Sequence, residues 1–121
     1  MNKFTDKVAE IILSKKGYDV KILDLRGLTT IADYFVICSA DSDVQVKSIA
    51  DEIDDKLREE GIKCYHKEGY ESLNWVLLDY FDVVVHVFRK EARDFYNLEK
   101  LWLDAPSRTV EDKIEPAVDQ D

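Results

Sequence analysis

The stretch Asn74–Phe88, NWVLLDYFDVVVHVF, constrains the fold more than any other part of the chain. Trp75 to Asp79 and Val83 to Phe88 read as two strands joined by about three residues, hence an antiparallel hairpin. Successive strand side chains point to opposite faces. Trp75, Leu77 and Asp79 therefore share one face of the first strand, and Val76, Leu78 and Tyr80 the other. In the second strand Val83, Val85 and Val87 oppose Val84, His86 and Phe88. Both faces are heavily apolar. A sheet built on this hairpin either has cover on both sides or leaves an apolar surface for a partner, and the pattern alone leaves both outcomes open.

The rest of the chain supplies more strands and the helices to cover them. With 121 residues it is long enough for one domain with a real core. Phe4, Val8, Ile11 and Ile12 fall at helical spacing, with Lys15, Lys16 and then Gly17 as a stop. YDVKILDL reads as a strand. DYFVICS, Asp33 to Ser39, is a nearly continuous apolar run, expected to be central and covered on both faces. Ser42 and Gln45 form a capping box that opens a second helix, whose apolar stripe is Val46, Ile49, Ala50, Ile53 and Leu57. Gly61 closes it. IKCYHK is a short strand, and Phe95, Leu98, Leu101 and Trp102 share one face of an expected third helix. From Asp104 the pattern stops, and six acids, two bases and both prolines follow. The reading is an α/β (α+β) domain over residues 1–104, a mixed five-stranded sheet flanked by helices, with a loose acidic tail over 105–121. The strand order does not follow from it.

Charge narrows the partners. The formal net charge is −9, which repels phosphate backbones and makes a basic protein a better partner than DNA or RNA. The two cysteines, Cys38 and Cys64, sit in apolar or strand-like contexts and read as reduced thiols, not a disulfide framework. The N-terminus has no secretory pattern and no run approaches membrane-spanning length, so a cytoplasmic protein is expected.

Candidate chemistry is sparse. A metal-dependent nucleotidyltransferase needs a Gly-Ser to position phosphates and strand-borne carboxylates to hold divalent ions. The nearest match, SADSD with Asp41 and Asp43, has no glycine and flanks a helix N-cap, where acids are favoured by the helix dipole. Asp79 and Asp82 fall at a turn and suit its backbone groups or solvent. Cys64 and His66 are two apart on a strand, and with Cys38 or His86 could form a zinc site only if the fold gathered them. Packed core residues are the simpler reading. His86 in particular reads as a buried, neutral, hydrogen-bonded histidine. No catalytic residue, cofactor or metal is assigned.

Three segments, DYFVICSADSDVQVKSIADEI, KEGYESLNWVLLDYFDVVVHVF and ARDFYNLEKLW, carry a resemblance. Over roughly Phe4 to Ala105 the chain resembles the Iojap family of ribosomal silencing factors, RsfS. The resemblance implies a nucleotidyltransferase-like fold without that chemistry. It implies binding to the large ribosomal subunit through ribosomal protein L-fourteen, with joining of the small subunit blocked and translation damped when nutrients are short. A homodimer in the free state is also implied. Two positions depart from the family pattern: Ala40 and Phe81 stand where relatives often have glycine.

The resemblance also implies a contact region around Trp75 and the following acid and aromatic. Trp75 opens a strand after a polar loop, and tryptophan and tyrosine dominate interface energetics when exposed. The expected partner-binding residues are Trp75, Val76, Leu78, Asp79, Tyr80 and Asp82, with Phe81 and Tyr34 added at the margin. Asp79 and Asp82, with Glu68 and Glu71, suit a basic protein and speed its encounter. A nucleotidyltransferase and a dimeric scaffold without ribosome binding are the competing readings.

Overall fold

A computed structural model describes residues 3–111. Its elements in chain order are α1 (Lys3–Ser14), β1 (Tyr18–Asp24), β2 (Tyr34–Ala40), α2 (Asp43–Glu59), β3 (His66–Glu68), β4 (Trp75–Asp79), β5 (Val83–Arg89), α3 (Lys90–Tyr96), a 3₁₀ turn (Leu98–Trp102) and β6 (Ser107–Val110). The sheet is mixed and six-stranded, in the order β3-β4-β5-β2-β1-β6. Only β2 and β5 pair in parallel, with Phe35 opposite Val84 and Ile37 opposite His86; every other neighbouring pair is antiparallel.

The two most apolar strands are the central ones, as their composition demands. Alternation then sorts the core into two layers. Val20, Ile22, Val36, Cys38, Val76, Leu78, Val83, Val85 and Val87 point to one side and pack under α1 and α2. Leu23, Phe35, Ile37, Val84 and Phe88 point to the other, where Ala92 of α3, Leu98 and Trp102 lie against them. The first layer has two long helices over it. The second has one helix of 7 residues and a single turn of 3₁₀.

Caps fix the helices over the first layer. Ser42 Oγ accepts from Gln45 N at 3.1 Å, and the Gln45 side chain accepts from Asp41 N at 2.7 Å. Its Nε2 donates to Lys16 O at 3.0 Å, which ties the end of α1 to the start of α2. The left-handed residue that ends α1 is Lys16, with φ 71°, and not Gly17. Gly17 serves closeness instead: a Cβ there would lie 2.4 Å from Ile12 Cγ2. On the far edge, the buried Asp54 carboxylate of α2 pairs with Arg58 and accepts from Lys67 of β3 at 2.7 Å, holding that edge strand to the helix.

Three expectations change. The sheet has a sixth strand where the tail was expected: Ser107 pairs with Leu23 and Val110 with Val20. This segment joins through backbone hydrogen bonds at a sheet edge, which its polar side chains do not advertise. Residues 112–121 of the expected tail lie outside the described residues. The expected third helix is interrupted at Asn97, which takes a left-handed conformation, φ 49° and ψ 53°, and caps α3. Leu98 and Trp102 therefore reach the sheet, while Phe95 and Leu101 turn outward, 80% and 75% exposed. The third strand begins only at His66, so Cys64 precedes it, and its thiol donates to the carbonyls of His66 and Asp79 at 3.2 and 3.5 Å.

Candidate partner-binding face

The thinly covered side of the sheet carries a row of aromatic rings. Phe95 meets Tyr96 at a centroid distance of 5.1 Å, and Tyr96 meets Trp75 at 5.2 Å. Trp75 then meets the His86 ring at 5.8 Å, His86 meets Phe35 at 4.5 Å, and Phe35 meets Trp102 at 6.0 Å. Trp75 also stacks on Phe88 at 4.8 Å. The row runs from exposed rings on α3, over the half-buried indole of Trp75, to buried rings over the central strands.

Trp75 is held in one orientation. Its Nε1–H donates to His86 Nδ1 at 3.1 Å. An indole nitrogen only donates, so His86 Nδ1 must accept, and the ring proton sits on Nε2. Among the described residues Nε2 has no hydrogen-bond partner, and burial pushes the His86 pKa down to about 3. The imidazole is neutral, and the indole turns carbon rather than its N–H toward anything that docks. Behind Trp75 the loop turns on Gly69, with φ 94°, where a Cβ would lie 1.9 Å from Trp75 O. Arg89 N donates to Asn74 O at 2.9 Å and closes the other side.

Alternation places the remaining contact candidates. Val76 and Leu78 are fully buried in the layer under α1 and α2, so these two expected contact residues cannot meet a partner in the folded protein. The sequence shows which residues share a face, but not which face the helices take. Tyr80 turns to the same covered side, edge-on to Phe4 at 5.7 Å, with its hydroxyl 3.5 Å from Asp54 Oδ1; burial and the nearby Asp54 carboxylate raise its pKa. Tyr34 also faces that layer, half-buried beneath the Arg26 guanidinium at 5.2 Å.

Leu77, absent from the expected set, lies half-buried on the open face between Trp75 and Asp79. Phe95, Tyr96, Leu101 and Leu103 were missed as surface residues, the first and third because the expected helix assigned them inward. The run of Phe95 and Tyr96 before a left-handed-prone Asn97 was the available signal.

The acids do not flank Trp75. Asp79 ends β4, about 13 Å along the strand from Trp75, and its Oδ1 accepts from Phe81 N at 2.8 Å, so it braces the turn. Asp82 is exposed, and its carbonyl accepts from Asp33 N at 2.8 Å and Tyr34 N at 3.1 Å. His66 and Glu68 face the open side opposite Asp79 and Leu77, their side chains 2.6 Å apart. Phe81 is 68% exposed and sits at φ 77°. A left-handed backbone suits glycine and costs a bulky residue on the order of 1 kcal/mol.

The acids of SADSD are occupied locally. Asp41 Oδ1 accepts from the Tyr18 hydroxyl at 2.6 Å, and burial with this bond raises the Tyr18 pKa to about 12. A polar cleft of about 470 Å³ opens beside α3, and neither Asp41 nor Asp43 lines it. Its floor is Arg93, which donates to Asp19 O at 2.6 Å, to Ser39 Oγ at 2.9 Å and to both Glu99 oxygens at 3.1 Å. This guanidinium staples α3 and the 3₁₀ turn to β1 and β2, and so holds the Phe95–Tyr96 end of the aromatic row in place.

Comparison with known proteins places the chain in a family. A family model described as "Ribosomal silencing factor during starvation" matches residues 1–121. A Bacillus subtilis protein named ribosomal silencing factor RsfS is 52% identical over 92 residues, 76% of this chain and 78% of its own. The chloroplastic protein Iojap of Zea mays is 36% identical over 84% of this chain and 44% of its own. A Chromobacterium violaceum crystal structure superposes with a TM-score of 0.81 at 34% identity, covering 96% of this chain and 98% of that one. The chain belongs to the RsfS family of ribosomal silencing factors.

Proposed function

We propose that this protein binds the large ribosomal subunit through ribosomal protein L-fourteen and keeps the small subunit from joining it, so that translation falls under nutrient limitation. The single observation that carries the site is the aromatic row at Trp75, Tyr96 and Phe95, half-buried at Trp75 and exposed at the other two rings, on the thinly covered face of the sheet. An apolar ring fixed in one orientation, with its N–H already satisfied, is a low-entropy anchor for a protein partner. The net charge of −9 favours a basic ribosomal protein and disfavours the RNA around it. The mechanism needs affinity and bulk at one place; it invokes no catalytic step and no cofactor. It places the protein's action in the cytoplasm.

The contact set that fits the structure is Trp75, Leu77, Tyr96 and Phe95, with Asp79, Phe81 and Asp82 at the hairpin tip. The same reading includes a homodimer in the free state, and use of this face by both would make dimer and ribosome compete. The test is subunit joining followed by sedimentation. Added protein should reduce joined ribosomes in proportion to dose, and Trp75→Glu should not. Cosedimentation with large subunits while joining proceeds normally would refute the blocking mechanism.

A further inference from the structure

At the hairpin tip two exposed rings lie face to face. Tyr65 and Phe81 stack with centroids 4.8 Å apart and planes 15° from parallel, 69% and 68% exposed. They come from different segments: Tyr65 precedes β3, its N–H donating to Asp79 O at 2.7 Å, and Phe81 sits in the β4–β5 turn. Neither ring belongs to the sheet's buried layers. Phe81 holds its place in a backbone conformation that disfavours it. A stack that adds no core burial and keeps a bulky residue left-handed is a surface feature with a use outside the fold.

The surroundings indicate what it takes. Asp33, Asp79 and Asp82 converge on this end of the sheet, joined through the Asp33–Asp82 backbone bond and the Asp79–Phe81 side-chain bond. Among the described residues neither Asp79 nor Asp82 forms an ion pair with a lysine or arginine, while Asp33 lies in the field of the Arg26 guanidinium. Aromatic faces beside unpaired carboxylates match a planar cation. A guanidinium stacks on a ring and forks onto a carboxylate at once, which a compact ammonium does less well. A nucleobase would also stack, but its phosphates would meet these acids.

We infer that the Tyr65–Phe81 stack is a shelf for an arginine side chain of the protein partner, with Asp82 and Asp79 as counter-charges. It is a second docking element, separate from the row at Trp75. It rests on the reading that the partner is a basic ribosomal protein, but its chemistry is testable without a ribosome.

The experiment titrates the full chain with tetra-arginine amide, tetra-lysine amide and a short single-stranded oligouridylate, following the aromatic ring resonances of Tyr65 and Phe81. Tetra-arginine should shift both rings, tetra-lysine should shift them less, and the oligouridylate should leave them unmoved. Phe81→Gly and Tyr65→Ala should each abolish the response. Each should also weaken cosedimentation with large subunits by about two- to five-fold. Phe81→Gly trades relief of the left-handed backbone against a looser unfolded chain, so its melting temperature should stay within about 5 °C; Tyr65→Ala, at an ordinary backbone position, carries the test if that variant misfolds. Rings unmoved by tetra-arginine, or moved by the oligouridylate instead, would overturn the shelf. Arginine-dependent shifts in a protein that does not cosediment with large subunits would leave the shelf standing and defeat the ribosomal reading.

Discussion

The two faces of this sheet carry similar apolar loads and meet different fates. On one, α1 and α2 bury Val76, Leu78, Val85 and Val87 completely. On the other, a 7-residue helix and one 3₁₀ turn cover the central strands and leave Trp75 and Leu77 half-covered at β4. The difference lies in the amount of helix available rather than in strand composition. A strand near the sheet's edge, apolar on both sides and helix-covered on one, keeps a surface that the described residues leave half-open.

The sharpest way to break this comparison is to shorten adjacent leucines. Leu78→Ala should lower stability to urea by about 2–5 kcal/mol, because the cavity opens beneath two helices. Leu77→Ala should cost about 1 kcal/mol, because its side chain is already half in water. Equal losses would mean the faces are equally covered. Binding should invert the order. Trp75→Ala should weaken association with large subunits by about 30-fold or more, whereas Val76→Ala should reduce it only as far as it reduces the folded fraction, measured by sedimentation of matched samples.

Acid sharpens the comparison further, because His86 sits under the open face as a neutral base. Its pKa is about 3 when folded against 6.5 for a free imidazole, so the unfolded chain binds more protons between those values. This part of the stability is complete above pH 6.5 and is lost as pH falls toward 3. The slope should approach about 1.4 kcal/mol per pH unit. Urea unfolding at stepped pH should show it in the native protein, and His86→Gln should flatten it by about one proton.

The smallest effect belongs to the staple on α3. The hydrogen bonds from Arg93 hold the Glu99 carboxyl below its usual range, so this contribution is present above the ordinary carboxylate pKa and fades as pH drops through the folded value. Glu99→Gln should cost no more than about 1 kcal/mol, given its solvent screening. It should speed hydrogen exchange in α3 without changing exchange in α2.

Much of this was legible in the chain. The alternation in β4 and β5, the capping of α2 by Ser42 and the packed, neutral His86 follow from residue type and period. What was hidden depends on tertiary choice. Period-two patterning puts Val76 with Leu78 but is silent on which side the helices land, so it offers two core residues as contacts. Asn97 splits a helical pattern that its neighbours would have continued. β6 announces itself only through its backbone, and the left-handed φ of Phe81 contradicts its side chain.

The central claim, that the open face is the docking face, is tested most directly by hydroxyl-radical footprinting of the protein free and bound to large ribosomal subunits. Side-chain oxidation should fall on binding at Trp75, Tyr96 and Phe95, while exposed residues on the helix-covered side, such as Val44, react unchanged. Rings at Trp75 and Tyr96 that stay fully reactive in the complex, with protection moving to α1 and α2, would contradict it.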